Sequence, residues 1–518
     1  MRPLSSLTGL ISLYIKKKQG SGKMKILLVN PPLSAEEQRN PVVSNLFANA
    51  MPLGILYIAS YGIERGLNIQ AIDAPAERMT LDDTMAKIKK IAPDVVGITT
   101  TTPVFHRAIA LARAVKAWGP SIVTVVGGPH INAAPITSMM NKCFDIACLG
   151  EGEITFYELV TALARGEDPN HIPGLIFRGG SGIIRFTAPR QHLMDLDQLP
   201  FPARNLLNPK LYTSLPTDVK YLPKFTVLAT RGCPFHCTFC DHAAGGEKYR
   251  TPSPKYMVDE LEMLEKQYKA REVAFVGSTF TAKAEKAEEM CNLILERGLK
   301  LQWTCSTRVD VVSEKLLTLM KKAGCWCIRF GVESGSQKIL NQIRKGITKE
   351  QITKAINLCE KVGICTKAFF IVGHPMETIQ TMEETIEFAC SLPLTDITVQ
   401  LNTPLPNTHQ YATAHDFGHI PSVDYSKYSF FSPVFIPNGL TAEDLAYYHK
   451  EFYRRFFWRP ETIKRQIKKV AHWATLMNYF RCLDLIFYLT LDLFKRPSRD
   501  PKAAEQVTSS PIGESPKT

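Results

Sequence analysis

The chain lacks any uninterrupted apolar run of about 18 residues, so no helix is expected to cross a bilayer. It also lacks a secretory signal with a cleavage site, and its 13 cysteines are an odd number. A disulfide framework is therefore not expected, and a reducing cytoplasmic setting is. Acidic residues are in deficit, 49 against 62 basic ones, for a net charge of +13. Such an excess suits nucleic acid, an anionic membrane surface or an acidic substrate, and it suits a merely soluble basic protein as well. What is present is ordinary: 45% hydrophobic and 21% charged residues. At 518 residues the chain is too long for one domain, and two to four, each with its own core, are expected.

Residues 1–23 read as an extension. An apolar stretch at 7–15, too short to span a membrane, is followed by Lys16, Lys17 and Lys18. A disordered tail fits it better than a surface anchor. Met24 is an alternative start, since it stands just before the first clear strand. From 24 to 164, Val- and Ile-rich runs at 25–29, 68–72, 95–99, 122–126 and 146–149 alternate with helical stretches. Continuous apolar strands separated by helices indicate an α/β, doubly wound parallel sheet covered on both faces. Its ligand belongs beyond the strand C-termini, at Asn30-Pro31-Pro32, at the turn from Thr99 and Thr100 to Pro103, and at Gly127-Gly128-Pro129-His130.

Residues 165–224, richer in Gly, Pro and polar residues, read as a linker. A second alternation fills 225–440, with strands expected at 225–230, 273–276, 301–306, 327–332, 367–372 and 396–401. Six βα units make a partial (β/α)6 barrel, whose chemistry belongs at the strand C-termini. A helical C-terminal extension is expected over 441–494, basic first and apolar from Trp473 to Phe494, and then a disordered tail over 495–518.

Most of the cysteines, Cys143, Cys148, Cys291, Cys359 and Cys390 among them, read as small buried hydrophobes. Only Cys233, Cys237 and Cys240 have ligand-like spacing, in Thr230-Arg231-Gly232-Cys233-Pro234-Phe235-His236-Cys237-Thr238-Phe239-Cys240. This loop directly follows the first strand of the second series, where a βα barrel keeps its catalytic groups. Thiolates are the usual ligands of iron–sulfur clusters, and three of them leave one iron of a four-iron cluster open. The alternative is a zinc site completed by His236, Asp241 or His242, although zinc spacings usually come as two separated pairs.

The pattern C-x3-C-x-aromatic-C resembles the signature of the radical S-adenosylmethionine (SAM) superfamily. That resemblance implies a [4Fe-4S] cluster whose open iron binds the amino and carboxylate groups of SAM. One electron then cleaves SAM to methionine and a 5′-deoxyadenosyl radical, with Phe239 beside the adenine. Arg329-Phe330-Gly331-Val332-Glu333-Ser334-Gly335-Ser336 resembles the family's G-x-E-S-G-S segment, which implies that Glu333 and Ser334 lie in the SAM site. Ser334 or Ser336 also reads as a helix cap. Arg308, in Arg308-Val309-Asp310, is a candidate partner for the SAM carboxylate and equally a candidate structural ion pair. Gly373-His374-Pro375-Met376-Glu377-Thr378 resembles the G-x-P-x-E-T turn. Where relatives carry acids after the second strand, this chain has Gly277-Ser278-Thr279-Phe280-Thr281, so backbone groups at Gly277 and Ser278 are expected to meet SAM instead.

The first domain resembles the cobalamin-binding domain of many superfamily members. The resemblance rests on Gly127-Gly128-Pro129-His130 and on Asp145 to Glu153, with its Leu149-Gly150-Glu151-Gly152-Glu153. Glycines there allow a bulky ligand to approach the backbone. The resemblance implies cobalamin contacts at Thr99, Thr100, Gly127, Gly128, Pro129 and Glu151. The D-x-H-x-x-G cobalt-ligand motif is absent: Asp73-Ala74-Pro75-Ala76-Glu77-Arg78 stands in its place, so no histidine is expected on the lower face of the corrin. A substrate-docking or vestigial domain is the alternative. The segment Tyr453 to Pro460 resembles the end of cobalamin-type members such as the anaerobic magnesium-protoporphyrin ester cyclase and the hopanoid-modifying enzymes.

The resulting expectation is an anaerobic radical SAM enzyme that uses cobalamin, with an electron donor such as flavodoxin or ferredoxin and a small-molecule substrate. It would methylate, oxidise or cyclise an unactivated carbon in a lipid, isoprenoid or tetrapyrrole. Nucleic acid is not favoured, although modification of RNA or protein by the same chemistry is a rival. A non-catalytic iron–sulfur or zinc module is another. The apolar C-terminal stretch reads either as packing against the barrel or as a peripheral membrane contact of a cytoplasmic protein.

Overall fold

The computed structural model describes residues 23–34, 37, 50–179, 182–212, 218–241, 246 and 248–470. The expected extension at 1–22, His242, and the expected apolar helices and tail beyond 470 lie outside them. No described helix is long and apolar enough to cross a membrane.

The first sheet has seven strands in the order β2-β1-β3-β4-β5-β6-β7. β1 (Lys25–Asn30), β2 (Asn68–Asp73), β3 (Val95–Thr99), β4 (Val123–Gly127) and β5 (Ile146–Cys148) are parallel. They are joined by helices α1 (Leu53–Glu64), α2 (Leu81–Ile91) and α3 (Phe105–Trp118), and α4 (Gly152–Arg165) follows β5. The order reverses between β1 and β3, which places the switch point, and the natural ligand crevice, at Asn30 and Thr99. Local signals set the helices. Thr80 and Asp83 form a capping box at the start of α2, while Gly166, in the left-handed region, ends α4.

The five-stranded parallel sheet read from the sequence is extended by two antiparallel strands. β6 (Leu175–Arg178) and β7 (Ile184–Phe186) lie inside the segment expected to be a linker. β6 is buried, and it covers the edge that β5 would otherwise leave open. The rest of that segment is also anchored. Arg204 forms a fully buried pair with Glu260 at 2.7 Å, and the Tyr212 hydroxyl donates to Asp73 at 2.7 Å.

The second sheet runs β8 (Lys224–Leu228), β9 (Glu272–Val276), β10 (Gln302–Thr307), β11 (Cys325–Glu333), β12 (Cys365–Val372) and β13 (Asp396–Leu401), all parallel and in sequence order. Its helices are α5 (Pro254–Tyr268), α6 (Ala284–Glu296), α7 (Glu314–Lys322), α8 (Lys349–Val362) and α9 (Ile379–Ser391). This is the expected six-unit partial barrel. α10 (Ala442–Phe457) packs Leu445, Tyr448, Phe452 and Phe456 into the barrel's core, and α11 (Pro460–Val470) follows it. Met51, Leu56 and Ala76 of the first domain belong to the same apolar cluster as Phe225, Val227 and Ala229 of β8. The two domains therefore share buried surface beside the cysteine loop.

Candidate cofactor site

Beyond Leu228 the chain crosses the strand ends through Ala229-Thr230-Arg231-Gly232 into the cysteine loop. The crossing is tight. Ser278 N donates to Thr230 Oγ1 at 2.8 Å, and Ser278 Oγ donates to the Gly232 carbonyl at 2.6 Å. Gly277 has φ 143°, and a Cβ there would lie 2.1 Å from Thr230 Oγ1 and 2.8 Å from Thr230 N and O. Only glycine permits that approach. Gly277 and Ser278 thus brace the root of the cysteine loop, with the N–H and the hydroxyl of Ser278 both donating to it.

Within the loop, Cys233 N donates to Gly246 O at 3.3 Å and Cys240 N to Cys237 O at 3.1 Å. Thr238, between the last two cysteines, is held from two sides. Its N donates to Ile343 O and its O accepts from Gln410 N, both at 3.0 Å, and Gln410 Nε2 reaches its hydroxyl at 3.3 Å. Desolvation pushes the Cys240 thiol up to about 12, with Cys237 and Cys233 adding to the effect and Lys345 opposing it. The loop, pinned by these bonds, carries all three thiols within eight residues, and a bound cation there would stabilise them as thiolates, which fits an iron–sulfur cluster. Among the described residues, no group of three or more His, Cys, Asp or Glu side chains closes on a single metal ion.

Around this loop stand the groups expected to meet SAM. Phe239 lies 5.8 Å from the His374 ring and 5.8 Å from Lys345 Nζ, centroid distances in each case. Glu333 ends β11 with φ 69°, and its Oε1 receives Lys345 Nζ at 2.7 Å. Lys345 carries no motif and escaped sequence reasoning. Arg308 makes two 2.9 Å bonds to Asp310 and stacks on Phe235 at 3.7 Å. It therefore has the structural ion pair that was one of its two readings. Ser334 is fully buried and faces Thr385 Oγ1 at 3.1 Å while accepting from Ser336 N at 3.1 Å, so its hydroxyl points into α9 and caps the backbone. In the Gly373–Thr378 turn, Glu377 accepts from Gly373 N and His374 N at 2.5 and 2.9 Å, and burial pushes its carboxyl up to about 7.

A cavity of about 410 Å³ lies between the first sheet's strand ends and Thr230, Arg231 and Gly232. It is lined by Thr99, Gly127, Gly128, Pro129 and Glu151, and it runs inward past Leu28, Ile55, Val125 and Phe156, between the sheet and helices α1 and α4. A Cβ at Gly54 or Gly150, both on its wall, would meet no atom within 4 Å. Gly128 has φ 105°, and a Cβ there would lie 2.6 Å from the Thr100 carbonyl. An apolar slot edged by glycine backbone fits a large planar cofactor with an inserted tail, and so fits cobalamin. Thr100 lies behind Gly128 and is not on the wall. His130 is also off the wall: it packs at 4.1 Å on Phe105 and bonds Thr102 Oγ1 at 3.1 Å, and burial lowers its pKa to about 4.

Glu151, on the wall of the cavity, also pairs with the second domain. Burial would raise its pKa, but Arg250 and Arg231 hold it below the usual carboxylate range. Its oxygens face Arg250 Nη1 at 2.9 Å and Arg231 Nη1 at 3.1 Å, both from the second domain. Arg231 and Arg250 were not foreseen as site residues, because nothing near them in the sequence marks the partner.

Residues 227–389 match the radical SAM superfamily, and residues 39–160 match the B12 binding domain. The chain is 34% identical over 473 residues to an uncharacterized methyltransferase of Pyrococcus horikoshii, covering 90% of this chain and 99% of that one. It is 31% identical over 442 residues to the anaerobic magnesium-protoporphyrin IX monomethyl ester cyclase of Rubrivivax gelatinosus, covering 84% and 77%. Its fold is similar to that of TsrM, a radical SAM methyltransferase from Kitasatospora setae solved with cobalamin and a [4Fe-4S] cluster. That match has TM-score 0.65 and 19% identity and covers 83% of this chain and 85% of TsrM.

Proposed function

This chain belongs to the radical SAM superfamily, in the branch that carries a B12-binding domain, and on that premise we propose that it transfers a methyl group to an unactivated carbon of a small apolar substrate. It is an enzyme of the cobalamin-dependent methyltransferase or cyclase type, and its cofactors are a [4Fe-4S] cluster, SAM and cobalamin. The methyl-transfer reading takes its direction from the Pyrococcus relative, which is named a methyltransferase and aligns over 99% of its length. The observation that carries it is the cavity, whose wall includes residues of both domains and ends at the root of the cysteine loop.

In this reading Cys233, Cys237 and Cys240 hold the cluster, and Phe239 lies against the adenine. Lys345 and Glu333 hold the polar groups of SAM, with Gly277 and Ser278 fixing the loop beneath them. Thr99, Gly127, Gly128, Pro129 and Gly150 edge the corrin. When bound, the cluster and SAM supply a radical able to take hydrogen from carbon, and cobalamin supplies a methyl carrier. The chain's own part is to hold both sites in register and to keep water out, which the shared apolar cluster of the two domains supports. A tetrapyrrole, lipid or isoprenoid substrate takes its direction from relatives named a magnesium-protoporphyrin IX monomethyl ester cyclase and a hopanoid C-3 methylase, and flavodoxin or ferredoxin suits as electron donor. The reading also includes a peripheral membrane contact of the C-terminal region, whose described basic part, α11, exposes Ile463 and Ile467. Vesicles of anionic lipid would retain the protein and neutral ones would not; equal behaviour removes that part.

The test is anaerobic reconstitution with iron, sulfide, cobalamin, a reductant and SAM carrying a deuterated methyl group, offered lipid, isoprenoid and tetrapyrrole fractions. Formation of 5′-deoxyadenosine with transfer of label to a product supports the proposal. An unlabelled product that has lost hydrogen replaces methylation with oxidation or cyclisation. Zinc in place of iron, with no SAM cleavage, overturns it.

A further inference from the structure

Four charged side chains meet between the two domains at the wall of the cavity. Arg231 stands two residues before Cys233. Its Nη2 donates to Glu153 Oε1 at 2.5 Å, and its Nη1 lies 3.1 Å from Glu151 Oε1. Glu151 also receives Arg250 Nη1 at 2.9 Å. The backbones of Arg231 and Arg250 bond each other in both directions at 2.9 Å, which closes the base of the cysteine loop. None of the four side chains is more than 13% exposed. Arg250 is tied in further, donating to the Leu193 carbonyl at 2.8 Å.

The placement of the acids gives the network its meaning. Glu151 and Glu153 belong to the first turn of α4 and its cap, in the cobalamin-type domain, and both line the cavity together with Gly152. Arg231 and Gly232 line it from the other side, at the root of the loop that carries the three cysteines. A group seated in the cavity touches the start of α4, and through it the residues that grip Arg231. Buried ion pairs add little net stability compared with apolar packing of similar volume, while they fix geometry sharply because each misplacement leaves a charge unpaired. This seam is therefore suited to fixing geometry.

We propose that Arg231 is a positioning residue that couples the two cofactor sites. Clamped by Glu151 and Glu153, it sets the cysteine loop against the cavity, so that cobalamin in the cavity and a cluster on the loop each favour the other. The inference rests on the functional reading above, since it presupposes both cofactors. Coupling of this kind is reciprocal and is measured as a ratio of affinities.

The experiment titrates cobalamin by absorbance into the full chain, with its cluster reconstituted and with iron removed, and iron per chain certifies each state. Wild type is expected to bind cobalamin about fivefold or more tightly when the cluster is present. In Arg231→Met and in Glu153→Gln the ratio falls to near one, and Arg231→Lys retains part of it. A merely structural role would weaken both states alike and leave the ratio intact. Should Arg231→Met fail to fold, Glu153→Gln, which keeps the shape and removes the charge, decides the matter. Equal affinities in the two states of wild type, or a ratio unchanged in Glu153→Gln, overturn the proposal while leaving the functional reading standing. No binding of cobalamin to wild type in either state overturns both.

Discussion

Lys345 Nζ lies 2.7 Å from Glu333 Oε1, with both side chains buried and the ammonium 5.8 Å above the Phe239 ring. Glu333 holds this position in the left-handed region at φ 69°, a conformation that costs a non-glycine residue about 1–3 kcal/mol. Strain of that kind persists where surrounding contacts impose it, and here Lys345 is the contact. Removing one partner of a buried pair strands the other. Lys345→Met is expected to lower stability by about 3–5 kcal/mol in urea unfolding. The double variant with Glu333→Gln should regain much of that. Neither should bind SAM in equilibrium dialysis.

Alanine at Cys237 leaves two thiols on a loop whose one contribution to the barrel's apolar cluster, among the described residues, is the partly buried Phe239. The variant should keep its far-UV circular dichroism, lose most of its iron after reconstitution, and form no 5′-deoxyadenosine. Retention of a full iron complement would remove Cys237 from the ligand set.

Two glycines give opposite outcomes for one added methyl group. At Gly277 a Cβ would lie 2.8 Å from the backbone N and O of Thr230, so Gly277→Ala must push β8 from β9. A loss of about 2–3 kcal/mol is expected in the same unfolding assay. At Gly54, in the first turn of α1, a Cβ meets nothing within 4 Å. Gly54→Ala should raise stability by about 0.5–1 kcal/mol through the helix backbone. Because Gly54 lines the cavity, the same variant should bind cobalamin more weakly in an absorbance titration.

Asp73, at the end of β2, predicts a pH dependence. Burial pushes its carboxyl up to about 6 despite hydrogen bonds from Tyr212 and Asn30. An unfolded aspartate titrates near 3.9, so between about 4 and 6 the folded chain binds more protons than the unfolded one. Stability from this group is present below that window and is lost as pH rises through it. Asp73→Asn, which does not titrate, should gain on wild type in melting temperature from pH 4 to pH 7 and run parallel above. A constant difference across that range would refute the assignment.

The alternation of strands and helices, the C-x3-C-x2-C spacing and the glycine turns at Gly127-Gly128 were legible because each is local. Hydrophobic period, turn chemistry and ligand spacing are all written along a few residues. That is why six barrel strands could be placed, and why the cysteines stood out from the others. Two short antiparallel strands, β6 and β7, were not legible. Only three or four residues each, they lack a period long enough to separate from a linker.

The site's remote pairings were decided by the tertiary structure alone. Arg231 finds Glu153 across 78 positions, and Gln410 reaches Thr238 across 172. With 62 basic and 49 acidic residues, composition leaves a great many pairings open. What selects among them is which strand ends share one rim, and burial, which raises the cost of every charge left without a partner. The sequence by itself determined what chemistry the loop can hold; the packing of two domains decided which charges hold the loop in place.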